Sequence, residues 1–395
     1  MAEVLNGIRV LDLGRFIAAP YCGMLLGDMG ADVIKIEKPG DGDDGRRLGP
    51  FFNDISMYAN CFNRNKRGIT INFRSSRGKE LLKDLIIKSD VLIENFRPGT
   101  MAKMGFDYKA VSELNPRMIM ASISGFGQTG ANSTMAAMDG IASAMSGLMV
   151  ANDRVGIGPH GVGIPVCDHV SGIYTALAIM FALFDRERTG KGQYIDTAMV
   201  DCIFSMMESR VPDFGINQVD IGNRSSDADP LACPSNTYQT QDGSICLHAG
   251  ADPNYVKFCV ITEDPVLMSE EYQKIENRMR DYSIVDERTK EWFSRKTTDE
   301  ATFLLRNAGV PFGVARNMKR IFADPNSYFR NMIVKVDIPG IGEAPFAGNP
   351  IKLETQPIGQ QTRAPFLGEH NREVLSSLLG KEEAEITDLE KAGDI

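Results

Sequence analysis

The first two hundred residues alternate between short apolar runs and longer amphipathic ones. Residues 7–13 and 32–37 read as strands, with a proline-opened helix over 20–29 between them. A helix follows over 76–88, then strands over 90–94 and 117–123, a further strand over 193–196 and a helix over 198–207. This order predicts an α/β fold around a doubly wound parallel sheet, which binds ligands beyond the carboxyl ends of its strands.

The longest apolar helical stretch, residues 173–184, is preceded by a lone carboxylate, Asp168, and is expected to stop at Asp185-Arg186-Glu187-Arg188. It falls short of the ~20 apolar residues that cross a bilayer, so a buried core helix is expected. Asp168 has an ordinary reading as N-cap, its oxygen accepting orphan N–H groups of the first turn. The same donors and the helix dipole would hold an ionised carboxylate ready as a nucleophile. Position alone leaves both readings open.

From about 210 to 235 the pattern breaks into a polar segment with Gly215, Gly222, Pro230 and Pro234, a linker by composition. Beyond it, two short strands and charged helices over 253–307 predict a second, smaller domain. A third stretch from about 330 ends in helices over 371–379 and 381–391.

Two domains suit a chain of 395 residues. The net charge of −9 argues against a nucleic-acid surface, so an anionic ligand must be held by local cations and backbone N–H groups. Seven scattered cysteines without a C-x-x-C pair, and a start without a secretory pattern, give a cytoplasmic expectation. Four histidines with no ligand spacing make a metal site an expected absence. Gly40-Asp41-Gly42-Asp43-Asp44-Gly45 fits G-x-G-x-x-G, but its three aspartates would repel a pyrophosphate, and a surface loop is expected. Asn63-Arg64-Asn65-Lys66-Arg67, with Arg74 and Arg77 after it, concentrates cations and reads as a phosphate partner.

Several segments together resemble the family III CoA-transferases and their relatives, the α-methylacyl-CoA racemases. They are residues 30–40, Asn65-Lys66-Arg67, Glu94-Asn95-Phe96-Arg97-Pro98-Gly99, Gly125-Phe126-Gly127-Gln128-Thr129-Gly130, Asp168 with Gly172, residues 189–193, and residues 364–371. The resemblance implies a Rossmann-like large domain from both chain ends (1–209 and 331–395), a small domain (226–325), and linkers at 210–225 and 326–330. Ring-shaped subunits interlocked as a homodimer are also implied. So are acyl-CoA and a small carboxylic acid as partners, with no tightly bound cofactor, nucleic acid or membrane.

By the same resemblance Asp168 is the catalytic aspartate. The coenzyme A contacts fall on Ile17, Ala18, Lys38, Ile71, Arg74, Asn95, Phe96 and Lys103, and the active-site loop on Ala249, Gly250 and Ala251. Lys38 and Lys103 stand where relatives carry arginine, so charge is kept but the bidentate fork is lost. The loop keeps one glycine, which puts an oxalate-type substrate in doubt. The racemases need a histidine just before an aspartate after G-x-G-Q; here that residue is Met138, which cannot accept a proton. His169 would point about 100° away from Asp168 along a helix. The expected activity is transfer of coenzyme A between acids through an aspartyl anhydride and an aspartyl-CoA thioester. A racemase-like isomerase and a silent acyl-CoA-binding subunit are the alternatives.

Overall fold

The computed structural model describes residues 3–153, 156–219, 229, 231–354 and 361–395. Its core is a six-stranded parallel sheet. The strands are β1 (Arg9–Asp12), β2 (Asp32–Glu37), β3 (Lys66–Thr70), β4 (Val91–Glu94), β5 (Ile119–Ser124) and β6 (Tyr194–Ala198), in the order β3-β2-β1-β4-β5-β6. Strand order reverses between β1 and β4, which opens a crevice beyond their carboxyl ends.

Both faces of the sheet are apolar because both are covered. One face, with Leu11, Ile34, Ile36 and Leu92, packs on helix α2 (Ser76–Ile87) and on the helices Asn371–Leu379 and Glu383–Ala392. The other, with Val10, Val33, Val91 and Ile93, packs on α1 (Ala18–Asp28) and α4 (Val166–Thr189). A short helix α3 (Asp139–Met145) precedes α4. The free edge of β3 is closed by the segment at 364–371. His370 Nδ1 accepts from Gly68 N at 3.0 Å, and Asn371 Oδ1 accepts from Thr70 N at 2.8 Å. That covers backbone groups an exposed edge would offer to another chain.

The chain divides into two compact units: residues 1–149, 161–218 and 326–395 form one, and residues 150–160 and 219–325 the other. The second holds a three-stranded antiparallel sheet, β7 (Ser235–Gln239), β8 (Ser244–His248) and β9 (Phe312–Val314) in the order β9-β8-β7. It is packed on Tyr255, Phe258, Phe293 and Leu305.

Three sequence expectations change. Helix α4 does not stop at Asp185. It runs 24 residues to a C-cap at Gly190, with Arg186 buried and paired to Asp90 at 3.0 Å, so the charged tetrad is its last turn. With a mean hydropathy of 1.5 it is long and apolar enough to cross a membrane, yet Thr175, Ile179, Leu183 and Arg186 lie in the core. The segments expected as linkers carry short helices, Arg210–Asn217 and Pro325–Phe329, while residues 220–225, with Gly222, and Pro230 lie outside the described residues. The basic run is not a phosphate site: Arg64 pairs with Asp28 at 2.7 Å, Lys66 with Asp12 at 2.7 Å and Arg67 with Asp32 at 2.7 Å. Arg77 is likewise paired, to Asp388 and Asp394.

Candidate active site

Asp168 sits in the first turn of α4, but it does not cap it. The capping carboxylate is Asp139, the first residue of α3, whose Oδ1 accepts from Cys167 N at 2.7 Å and from Asp168 N at 3.2 Å. The orphan donors of the helix start are therefore taken by another side chain. Among the described residues nothing hydrogen-bonds or ion-pairs with the Asp168 carboxylate. Half-buried, with the like charge of Asp139 beside it, it is pushed up to about 7, burial being the larger cause. This corrects the expectation that the helix terminus would hold it low. A cavity of about 290 Å³ opens at Asp139, lined also by Ser143, Met149, Gly163, Ile164 and Val166, and ends two residues short of Asp168 in the chain.

Glycine at 172, one turn after Asp168, lets α1 approach α4. A Cβ there would lie 2.8 Å from Ala18 O and 3.1 Å from the Tyr21 ring. Across this contact His169 packs edge-on to Tyr21 (4.8 Å) and Phe62 (5.7 Å), and its Nδ1–H donates to Pro165 O at 2.7 Å. Tyr58 packs on Phe62 at 5.2 Å, and its hydroxyl is pushed up to about 12 by burial and then by the charge of Asp168. His169 thus belongs to an aromatic cluster. Met138, exposed at the N-cap of α3, supplies no titratable group.

The candidate coenzyme A residues cluster at the carboxyl edge of the sheet. Ile17 and Ala18 open α1 just past β1, Lys38 follows β2, Ile71 follows β3, and Asn95 and Phe96 follow β4. Asn95 bridges the crevice: its Oδ1 accepts from Arg15 N at 2.8 Å and its Nδ2 donates to Arg15 O at 2.9 Å. Ile71 is fully buried, with Phe96 packed against the same core. Arg74, and Lys103 on the short helix Thr100–Met104, are exposed with no ion pair among the described residues, whereas Lys38 reaches Asp41 at 3.3 Å. The loop at 249–251 lies in the second unit. Ala249 and Gly250 are buried there, Gly250 O accepts from Arg278 Nη2 at 2.6 Å, and Ala251 is the N-cap of a helix.

Glu94 was not singled out from the sequence. It ends β4 buried, accepts from Phe96 N at 2.7 Å, and is pushed up to about 7 by burial against the opposing hydrogen bond to Ser122. The signal available was an acidic residue closing a largely apolar strand, repeated in Asp12, Glu37 and Glu94. The pairing of Asp139 with the start of α4, 28 residues on, left no local trace.

Residues 5–371 match the profile of CoA-transferase family III. The chain belongs to that family. It is 33% identical over 395 residues to the human succinyl-CoA:glutarate CoA-transferase, covering 98% of this chain and 89% of that one. Similarity to the succinyl-CoA–D-citramalate CoA-transferase of Chloroflexus aurantiacus is also 33% over 389 residues, covering 98% and 96%. A CAIB/BAIF family protein from Brucella suis superposes with a TM-score of 0.85 at 31% identity, over 96% of this chain and all of that one. The α/β fold with its parallel central sheet matches that of the Brucella protein, and family and relatives together make the chain a CoA-transferase acting between acyl-CoA and carboxylate.

Proposed function

We propose that this enzyme moves coenzyme A from an acyl-CoA donor to a carboxylic acid through covalent intermediates on Asp168. The observation that carries this reading is the carboxylate itself: placed at a helix start, freed from capping by Asp139, and left without a hydrogen-bond or ion-pair partner among the described residues. A carboxylate destined only to cap would be hydrogen-bonded.

Asp168, ionised, attacks the thioester carbonyl; the C–S bond breaks, giving a mixed anhydride and the coenzyme A thiolate. The thiolate attacks the aspartyl carbonyl, releasing the donor acid and forming an aspartyl-CoA thioester. The acceptor carboxylate displaces coenzyme A to give a second anhydride, whose acceptor carbonyl takes the returning thiolate and frees Asp168. Partial desolvation suits this sequence, because water would hydrolyse either intermediate. The acyl group is assigned to the cavity beside Asp139. Coenzyme A is assigned to the carboxyl edge, with Asn95, Phe96 and the backbone at Ile17, Ala18 and Ile71, whose side chains are buried, as the surface, and Lys38, Arg74 and Lys103 as phosphate cations. The loop 249–251 is assigned to oxyanion stabilisation through the N–H groups of Gly250 and Ala251, the Ala249 N–H being donated to Pro234 O at 3.0 Å.

Met138 argues for transferase over racemase, as no second base faces the site from that position. A soluble cytoplasmic homodimer without tightly bound cofactor completes the proposal. The test is trapping. Hydroxylamine added with acyl-CoA should inactivate the protein and convert Asp168 to a hydroxamate seen by mass spectrometry, and Asp168→Asn should bind coenzyme A yet transfer nothing. Near-normal turnover by that variant, or wash-in of solvent deuterium at the α-carbon without an adduct, would refute the mechanism.

A further inference from the structure

The segment at 40–45, which imitates a dinucleotide fingerprint, is not wholly a surface loop. Asp43 is buried, and its carboxylate accepts from Phe16 N at 3.1 and 3.2 Å, from Gly45 N at 2.9 Å and from Lys35 Nζ at 3.4 Å. Lys35, also buried, donates to Gly14 O and lies 4.0 Å from Asp12 Oδ1, which accepts from Gly14 N at 2.8 Å. Asn95 holds both backbone groups of Arg15. Gly14 N and O, Arg15 N and O, and Phe16 N are thus all fixed by four side chains: Asp12, Lys35, Asn95 and Asp43.

Surface loops ordinarily leave such groups to water, and buried ions carry a desolvation cost. Burial alone would lower Lys35, but Asp12, Asp43 and Glu37 outweigh it and hold the ammonium charged. The loop so held is unusual. Phe16 has φ +61°, and a Cβ on Gly14 would lie 2.4 Å from that of Ala19. It leads directly into Ile17 and Ala18. It also lies beyond β1 at the reversal of strand order, where open α/β sheets bind nucleotides.

We propose that Asp43 is a positioning residue for coenzyme A: through Phe16 N and Lys35 it fixes the loop that presents the backbone of Ile17 and Ala18, whose side chains are buried, to the nucleotide portion of the substrate. This rests on the functional reading above. Asp41 and Asp44 have a different task, pairing at the surface with Arg47 and Arg15.

The test compares two donors of one acid, the acyl-CoA and the acyl-N-acetylcysteamine thioester, which lacks the nucleotide. Asp43→Ala should raise KM for acyl-CoA by about tenfold or more with kcat nearly unchanged, and leave kcat/KM for the short thioester as in the wild type. Asp43→Asn keeps an acceptor for Phe16 N but loses the charge facing Lys35, and should give an intermediate KM; it serves alone where the alanine variant does not fold. An unchanged KM for acyl-CoA, or equal losses on both donors, overturns the proposal, since general damage does not distinguish substrates. Calorimetric titration of the wild type with coenzyme A separates the two levels. Binding and transfer intact in wild type and variants alike refutes the role of Asp43 only, whereas a wild type that neither binds nor transfers coenzyme A refutes the functional reading itself.

Discussion

Asp139 and Asp168 divide the work of one helix start between them. One carboxylate takes the N–H donors and the other is left with its charge unspent. Since burial first and Asp139 second push Asp168 up to about 7, the nucleophilic carboxylate forms as pH rises through that value. The plot of kcat/KM against pH should therefore climb to a plateau above about 7. Asp139→Asn retains an acceptor oxygen for Cys167 N and removes the like charge, so its inflection should move to lower pH. An inflection unmoved in that variant would show that Asp139 does not tune Asp168. The same shift bears on stability, with the sign fixed by linkage: a carboxylate raised on folding costs nothing below its ordinary value near 4, and its cost to the folded state grows as pH rises from there through about 7 and is level above. Asp168→Asn should then be the more stable protein at pH 8, on the order of 2 kcal/mol, with the gap closing towards pH 4. Thermal melts at the two pH values read this directly.

At the scale of elements, the contact of α1 with α4 ties the nucleophile to the nucleotide-facing loop. Gly172→Ala should force the two helices apart against Ala18 O and the Tyr21 ring, costing about 1–3 kcal/mol and lowering kcat as well as stability. A Gly172→Ala enzyme with wild-type kcat would show that the spacing is not used. Elements of this kind were mostly legible in the chain. β2 was read to the residue, and α2 and the helix Asn371–Leu379 to within one, because period-two and period-3.6 apolar patterns follow from burial against the two faces of the sheet. What escaped was set by partners far away in sequence. Arg186 looked like a helix terminator and is a core residue, because Asp90 waits 96 positions earlier. Lys66 looked like a phosphate ligand and is sealed inside, where burial lowers it to about 8 against the pull of Asp12. Of the site, Asp168 was legible through family resemblance, while its freedom from capping was not, since Asp139 arrives from another helix.

For the whole molecule the unresolved demand is the outward face of α4. Ile173, Leu177, Phe181 and Phe184 follow helical spacing along it and are exposed, Phe181 at 65% and Phe184 at 71% of full accessibility. The opposite face is spent on the core. Fully burying a side chain of this size stabilises by about 1.5–3 kcal/mol, so a stripe of four left in water is a strong drive towards association. A second copy of the same chain is the occupant implied by the proposed homodimer, and threaded subunits would make the association permanent under native conditions. Sedimentation should show dimers with no monomer at nanomolar concentration. Tagged and untagged dimers mixed without denaturant should give no hybrids over days, while unfolding and refolding the mixture together should give them in the statistical proportion. Hybrids forming within minutes would mean that the chains merely touch, and a monomer in sedimentation would mean that something other than a second copy covers α4.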